Sequence, residues 1–285
     1  MFDVTVFGST NLDLVVTVER HPHPGETLLG DSYAEFAGGK GLNQVVAAAR
    51  AGASASFHSA IGDDAAGDRL RSLVLDEGID DAHLLISIGQ PTGRAAIVVN
   101  ASGENSIVVV PGANSAVVAP GTLAPCRVLL TQLEVPLGEV QTTLALARLA
   151  GTLTLLNPAP AQALDDSLLS LCDVVIPNEH EVELLGGIDA LHAAGVGTVI
   201  VTRGGDGVTI SCDGVTEHRN ALTVDVVDTT GAGDAFCGNL AARLALGNEL
   251  SDSVDWALAA GALAVTVSGA VPSLPHAKQT AALMS

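Results

Sequence analysis

Near its end the chain reads Val226-Val227-Asp228-Thr229-Thr230-Gly231-Ala232-Gly233-Asp234-Ala235-Phe236, a loop of small residues feeding a helix-periodic apolar stretch. If a helix opens here, the first-turn amides of Gly231, Ala232, Gly233 and Asp234 have no carbonyl to bond and face outward at the positive end of the helix dipole. Such a nest holds an anion, and it suits a phosphoryl group whose charge moves onto its equatorial oxygens during transfer. Asp234 lies in the same turn, placed to take a proton from an attacking hydroxyl. Taken alone, the Gly-x-Gly pair also fits a plain turn and the Asp a helix cap. A dinucleotide fingerprint would follow the first strand of its fold, whereas these glycines lie far from it.

A second group, Ala37-Gly38-Gly39-Lys40-Gly41-Leu42-Asn43-Gln44, opens another helical run through Arg50. Backbone can approach a ligand closely at glycines such as Gly39, while Lys40 and Asn43 supply a charge and an amide. This is not a Walker loop, because Lys40 is followed by Gly41 and not by Ser or Thr. Judged locally, the same residues would make a tight turn. The prolines of His21-Pro22-His23-Pro24 favour a hinge loop over a metal pair, and Trp256, in an Ala-rich helical stretch, is expected to pack rather than to stack on a ligand.

These groups need a frame. Val4–Phe7, Val128–Leu130, Leu153–Leu156, Asp173–Ile176 and Thr198–Val201 are short apolar runs that end in polar or glycine-rich clusters, the pattern of strands covered on both faces in a parallel sheet. Helical stretches over Asn43–Ala51, Gly138–Ala150 and Asp234–Leu246 separate some of them; in the last, Phe236, Leu240 and Leu244 recur along one face. In an open parallel sheet the ligand crevice lies beyond the carboxyl ends of the strands, where Asn11, Asp13, Glu134, Asn157, Asn178 and Thr202 fall. Any one of these reads equally well as a loop or cap residue. Glu26–Phe36 and the pair Arg94–Asn100 and Asn105–Val110, joined around Ser102-Gly103, look antiparallel. The expected fold is therefore α/β, three-layered and doubly wound around a mostly parallel sheet, as one domain over 1–285 with a small β-sheet lid from about 12–38 and 93–111.

Twelve Lys and Arg stand against 32 Asp and Glu, a formal charge of −20 that would repel a nucleic-acid backbone. Charged residues, Gly and Pro interrupt every apolar run before the roughly 20 residues a bilayer span needs. The opening Met1-Phe2-Asp3-Val4 carries no basic stretch ahead of an apolar one, so a first strand and a cytoplasmic location are expected. Cys126, Cys172, Cys212 and Cys237 form no C-x-x-C pair and are read as ordinary thiols.

Together the two glycine-rich groups resemble the signature regions of the PfkB carbohydrate kinase family. The likeness continues through Gly8-Ser9-Thr10-Asn11-Leu12-Asp13, Gln132-Leu133-Glu134-Val135-Pro136-Leu137, Leu156-Asn157-Pro158-Ala159-Pro160-Ala161 and Pro177-Asn178-Glu179-His180-Glu181, nearly the whole chain. The resemblance implies ATP-dependent phosphorylation of a primary sugar hydroxyl, ribose foremost, with Asp234 as catalytic base and Gly231, Ala232 and Gly233 as anion hole. By the same resemblance Asn11, Asp13, Gly39, Lys40, Asn43 and Glu134 would join Asp234 in holding the sugar, and Asn178, Thr202, Gly205 and Gly207 would meet ATP. Glu181 would organise Mg²⁺ through water, and Asp228, Thr230, Ala264, Val267, Gly269 and Ser273 would surround K⁺, mostly through backbone carbonyls. A homodimer paired through the lid is also implied.

A nucleoside kinase of the same architecture is the alternative, although aromatic residues make up only 2% of the chain and leave little beyond Phe36 to sandwich a base. A sugar- or nucleotide-binding protein without catalysis ranks lower, because Asp234 and Gly-Ala-Gly are intact, and a dinucleotide oxidoreductase lower still. Two departures from the family pattern stand out. The stretch between Gly186 and Thr198 is short, which predicts a trimmed outer helix. Arg94 replaces a small apolar residue in a lid strand, and pointing inward it would recruit an acidic sugar.

Overall fold

The computed structural model describes residues 1–285. The chain begins with β1 (Phe2–Phe7), β2 (Asn11–Thr17), β3 (Ser32–Gly38), α1 (Lys40–Arg50), β4 (Ala55–Gly62), α2 (Ala65–Asp76), β5 (Asp80–Ser87), β6 (Gly93–Val99) and β7 (Asn105–Val110). It continues through β8 (Cys126–Thr131), α3 (Leu137–Leu149), β9 (Leu153–Leu156), α4 (Asp166–Leu169), β10 (Val174–Val175), α5 (Glu179–Leu184), α6 (Ile188–Ala193) and β11 (Thr198–Thr202). The hairpin β12 (Val208–Cys212) and β13 (Val215–Arg219) is followed by α7 (Ala232–Ala245), α8 (Leu250–Ala264), α9 (Ala270–Ser273) and α10 (Ala277–Met284).

Nine strands form the main sheet in the order β13-β12-β11-β10-β9-β8-β1-β4-β5. Every pairing from β11 to β5 is parallel, and only the two pairings of β12, with β11 and with the edge strand β13, are antiparallel. The two-residue period of a strand divides its side chains between two cores. Val4, Val6, Val128, Leu130, Leu155 and Ile200 enter one core with α1, α2, α7 and α8, while Phe7, Leu129, Leu156, Val199 and Val201 enter the other with α3 and the short helices α4 to α6. This alternation gives the three layers, and explains why the strands read as continuous apolar runs. No helix is long and apolar enough to cross a membrane.

The lid is a separate four-stranded sheet, β3-β2-β6-β7, in which β2 pairs β3 antiparallel and β6 parallel, and β6 pairs β7 antiparallel. The strand expected from Glu26 starts only at Ser32. Glu26 is instead drawn into the preceding loop, where its carboxylate accepts from Arg20 and from the His23 amide at 2.9 Å. Likewise β10 covers only Val174–Val175 of the expected Asp173–Ile176, although both flanking residues keep bonds to the neighbouring strands, Asp173 O accepting from the Thr198 amide at 2.9 Å and Ile176 N–H donating to Leu156 O at 2.8 Å. Between Gly186 and Thr198 lies only the six-residue α6, the trimmed helix that the sequence predicts.

Helix α7 packs directly on α1. A Cβ at Gly238 would run into the Gln44 carbonyl and Ala47, so glycine there permits the approach. That contact carries the start of α7 to Asn43 and Gln44.

Candidate active site

Asp234 occupies the first turn of α7 and is buried. Its Oδ2 accepts from Asn43 Nδ2 at 2.9 Å and its Oδ1 from Gln44 Nε2 at 2.8 Å. Burial pushes its carboxyl pKa up, while nearby Lys40 and the Asn43 and Gln44 amides pull it back. Gly231, at φ 80°, turns the loop into the helix. Behind it Ala232 N–H reaches Thr229 O at 3.3 Å, and Ala235 N–H makes the first firm turn bond, to Gly231 O at 2.7 Å. The amides of Gly233 and Asp234 are left at the helix start with no carbonyl ahead of them, the geometry of an anion nest.

Opposite lies a group of polar side chains carried by β2, α1 and the end of β8. Glu134 Oε2 accepts the Ser9 hydroxyl at 2.5 Å and the Lys40 amide at 3.0 Å, fixing the start of α1 to the end of β1. Burial works against the Lys40 ammonium, but the charges of Asp234, Glu134 and Glu181 outweigh it and raise its pKa. Asp13 is pushed up to about 7 by burial and by the charges of Glu134 and Asp234, and its Oδ1 is buried without a partner. A Cβ on Gly38 would collide with that carboxylate, so this glycine makes room for Asp13. Asn11 Oδ1 accepts from Asn114 Nδ2 at 2.7 Å, which leaves the Asn11 NH₂ as the group free to donate. Asn43 Oδ1 is likewise buried and unpartnered. Unsatisfied acceptors buried beside one another mark a place where hydroxyl donors belong.

On the other side of the α7 start lies a cavity of about 500 Å³. Gly204, Gly205, Gly207, Val208, Leu222, Val224 and Val265 contribute to its wall, Thr202 adds one of its few hydroxyls, and Ala232 and Gly233 close its inner end. At Gly207 φ is 90° and a Cβ would strike the Arg219 carbonyl. Asn178 caps α5: its Oδ1 accepts from the Glu181 amide at 2.8 Å, and its own amide donates to Glu181 Oε2 at 2.8 Å. Glu181 is buried, which raises its pKa, and its Oε1 has no protein partner.

The loop before the anion nest is held by Asp228. Its Oδ1 accepts the Thr230 amide at 2.9 Å, and its Oδ2 the Gly269 amide at 2.8 Å. Asp228 N–H bonds Val265 O at 3.1 Å, so residues 228–230 are tied to the segment holding Ala264, Val267, Gly269 and Ser273. Arg94 lies outside the pocket. It is in register with Leu12 and Val110, whereas Asp13 is in register with Ala95 and Phe36, so Arg94 occupies the opposite face of the lid. There its charge helps lower the pKa of Asp64, the cap of α2, against the effect of burial. Trp256 packs as expected, its indole donating to Asn239 Oδ1 at 2.9 Å beneath the Arg243 guanidinium.

Several residues at the site escape sequence reasoning. Asn114, in the turn after β7, reaches it only through tertiary contacts, Ser9 sits unremarked inside the Gly8–Asp13 segment, and the Ala221–Val226 wall of the cavity carries no motif. Gln44 and Gln132 stand inside segments that do carry a signal, but as polar residues next to the more obvious Asn43 and Glu134.

The chain matches the description "pfkB family carbohydrate kinase" over residues 1–277. Ribokinase of Haemophilus influenzae is 39% identical, over 97% of this chain and 96% of that protein. Deoxyribokinase of Salmonella typhi is 33% identical, over 97% of each. The structure of Arabidopsis thaliana ribokinase complexed with ribose and ATP superposes with a TM-score of 0.91 at 28% identity, covering 99% of this chain and 98% of that one.

Proposed function

The chain belongs to the pfkB family of carbohydrate kinases, and on that premise we propose that it transfers the γ-phosphate of ATP to the primary hydroxyl of D-ribose, giving ribose 5-phosphate. The observation that carries this reading is the Asp234 carboxylate: buried, held by Asn43 and Gln44, and lying between a pocket of unsatisfied polar groups and a mostly aliphatic cavity. ATP occupies the cavity along Thr202, Gly205 and Gly207, with Asn178 near its phosphates, and its γ-phosphate meets the start of α7 at Gly231, Ala232 and Gly233, where the Gly233 amide is free and that of Ala232 would have to leave its 3.3 Å bond to Thr229 O. The sugar lies beneath the lid against Asn11, Asp13, Gly39, Lys40, Asn43 and Glu134. Asp234 takes the proton of the attacking hydroxyl, and the Lys40 charge beside it offsets the negative charge of nucleophile and phosphate together. The lid keeps water from competing with the sugar.

Mg²⁺ would be held near Glu181, whose unpartnered Oε1 is the hard oxygen ligand such an ion takes, and it would supply positive charge to the phosphate oxygens. K⁺ would be held by Asp228, Thr230, Ala264, Val267, Gly269 and Ser273, mostly through backbone carbonyls, and would stiffen the loop that presents the anion nest. Pairing of two copies through the lid is supported by the outermost strand β7, where Ile107, Val108, Val109 and Val110 are all exposed.

The test is ADP release together with ³¹P-NMR of the product, at saturating ATP and Mg²⁺ with and without K⁺, on ribose, deoxyribose and adenosine. Ribose is expected to exceed adenosine by at least about tenfold in kcat/KM, which needs only about 1.4 kcal/mol of differential transition-state stabilisation. Equal use of adenosine would overturn the acceptor assignment. Preference for deoxyribose would place the chain with the 33%-identical Salmonella relative instead.

A further inference from the structure

Asp234 is the end of a line of amides that touches no other group assigned to substrate. Asn157 Nδ2 donates to the Ile176 carbonyl at 3.0 Å. A backbone carbonyl can only accept, so the Asn157 amide cannot be reversed without losing that bond, and its Oδ1 must face the other way. There it accepts from Gln44 Nε2 at 3.1 Å. The NH₂ of Gln44 is thereby committed to this side, and it also reaches Asp234 Oδ1 at 2.8 Å. The opposite end, Gln44 Oε1, accepts from Gln132 Nε2 at 2.5 Å. Gln44 and Gln132 are both completely buried. Direction of donation is thus set from the end of β10, through the ends of β9 and β8, to the first turn of α7.

We propose that Gln44 is a positioning residue for the base: with Asn157 and Gln132 fixing its amide in one sense, it can only donate to Asp234, and it holds that carboxylate oriented and ionised inside the protein. This rests on Asp234 being the base. A carboxylate beside an amide free to rotate would meet the oxygen end part of the time, and would be driven toward the protonated form that cannot take a proton. The ionisable groups facing Asp234 are Lys40 on α1, Glu134 after β8, Asp13 on β2 and Cys237 on α7 itself, with Glu181 of α5 reaching the same Lys40. Among these only Lys40 favours the carboxylate, so the Asn43 and Gln44 amides are the other groups that oppose its burial. Asn43 borders the sugar pocket, whereas Gln44 faces inward and contributes through Asp234 alone.

The experiment is the pH dependence of kcat/KM for the sugar in wild type, Gln44→Met and Gln132→Met. Methionine keeps the length of the side chain and removes the amide. Gln44→Met is expected to move the acid limb to higher pH by about one unit, the scale of one hydrogen bond to a charged group. Turnover at neutral pH should fall by about tenfold or less, and the KM for ATP should stay within about twofold. Gln132→Met leaves the donor and its Asn157 acceptor in place and removes only one of the two groups that orient Gln44, so a smaller shift in the same direction is expected. A folded Gln44→Met enzyme whose acid limb coincides with wild type would overturn the proposal. Should that variant fail to fold, an unmoved limb in folded Gln44→Leu, which also lacks the amide, would overturn it equally. Asp234→Asn separates the two readings: retained turnover would remove the base itself, while lost turnover with unmoved limbs in the glutamine variants would remove only the relay.

Discussion

On the side of the cleft proposed for the sugar, Asn11, Asp13, Lys40, Asn43, Glu134 and Asp234 come together from β2, α1, the segment after β8 and α7, and several of them carry pKa shifts or unpartnered buried atoms. On the nucleotide side the wall is glycine backbone and aliphatic surface, with Thr202, Thr223 and Thr229 as its hydroxyl-bearing residues. The two halves meet at Gly233. The contrast follows from what each must recognise. A sugar is a set of hydroxyls whose positions have to be read one by one, and polar groups left unpaired penalise the wrong molecule. A nucleotide can be held by shape, apolar contact and backbone amides. Substitutions should therefore be severe and specific on the first side, and mild on the second unless they alter backbone.

The largest effect is expected at the junction. Asp234→Asn should lower turnover by about two to four orders of magnitude while ATP binding persists, because the base is removed and the shape of the nest is kept. Single-turnover phosphorylation with nucleotide affinity measured in parallel checks this. Turnover within a few-fold of wild type would break the division, by making Asp234 a mere helix cap.

Asn43→Ala comes next. The residue spends its NH₂ on Asp234 and leaves Oδ1 unpartnered, so the loss should raise the sugar KM by about tenfold, a hydrogen bond to a hydroxyl plus looser hold on the base. The ATP KM should be unmoved. Initial rates with each substrate varied in turn decide it, and a raised ATP KM with unchanged sugar KM would contradict the side to which Asn43 is assigned.

These two residues show why the cluster of polar side chains is legible in the sequence. Its side chains are of types that do little else when clustered, and they lie in short segments, Gly8–Asp13, Gly38–Gln44 and Gln132–Glu134, whose spacing sets them on strand ends and helix starts. The parallel sheet was readable for a related reason, since strands feeding two cores become unbroken apolar runs. The nucleotide wall from Ala221 to Val226 was not, because contact through backbone and aliphatic surface leaves no mark in residue type. Asn114 was missed because it supports Asn11 across a long separation in the chain. Arg94 turned on register, which its side-chain chemistry cannot supply.

Asp13 offers a test that joins stability to recognition. Burial, with the charges of Glu134 and Asp234, pushes its carboxyl up to about 7 from a reference value of 3.8. A folded-state pKa raised in this way means that the stabilising contribution is complete below the unfolded value and is lost as pH rises through about 7. The empty enzyme should thus lose thermal stability between about pH 4 and about pH 7, and Asp13→Asn should flatten that decline. Sugar should reverse it in wild type, because hydroxyls donating to the carboxylate favour the charged form, and fail to do so in Asp13→Asn. Thermal melts across pH, with and without sugar, check both. A variant curve parallel to wild type would mean that Asp13 is not the group whose burial is relieved by the ligand.

The smallest effect belongs to Thr202→Val. Thr202 closes β11 at the mouth of the cavity, where its amide bonds Pro177 O at 2.9 Å and its hydroxyl reaches the same carbonyl only at 3.4 Å. Valine matches its shape, keeps the strand propensity of a β-branched residue and removes a weak bond to a carbonyl that the backbone already satisfies. If the nucleotide is held by backbone and apolar surface, the ATP KM should change by less than about threefold, under about 1 kcal/mol, and the sugar KM not at all. Titration of ATP at saturating sugar measures it. An ATP KM raised by tenfold or more, a difference of about 1.4 kcal/mol, would show that this hydroxyl reads the nucleotide as Asn43 reads the sugar. The two sides of the cleft would then differ in how many side chains they use, and no longer in kind.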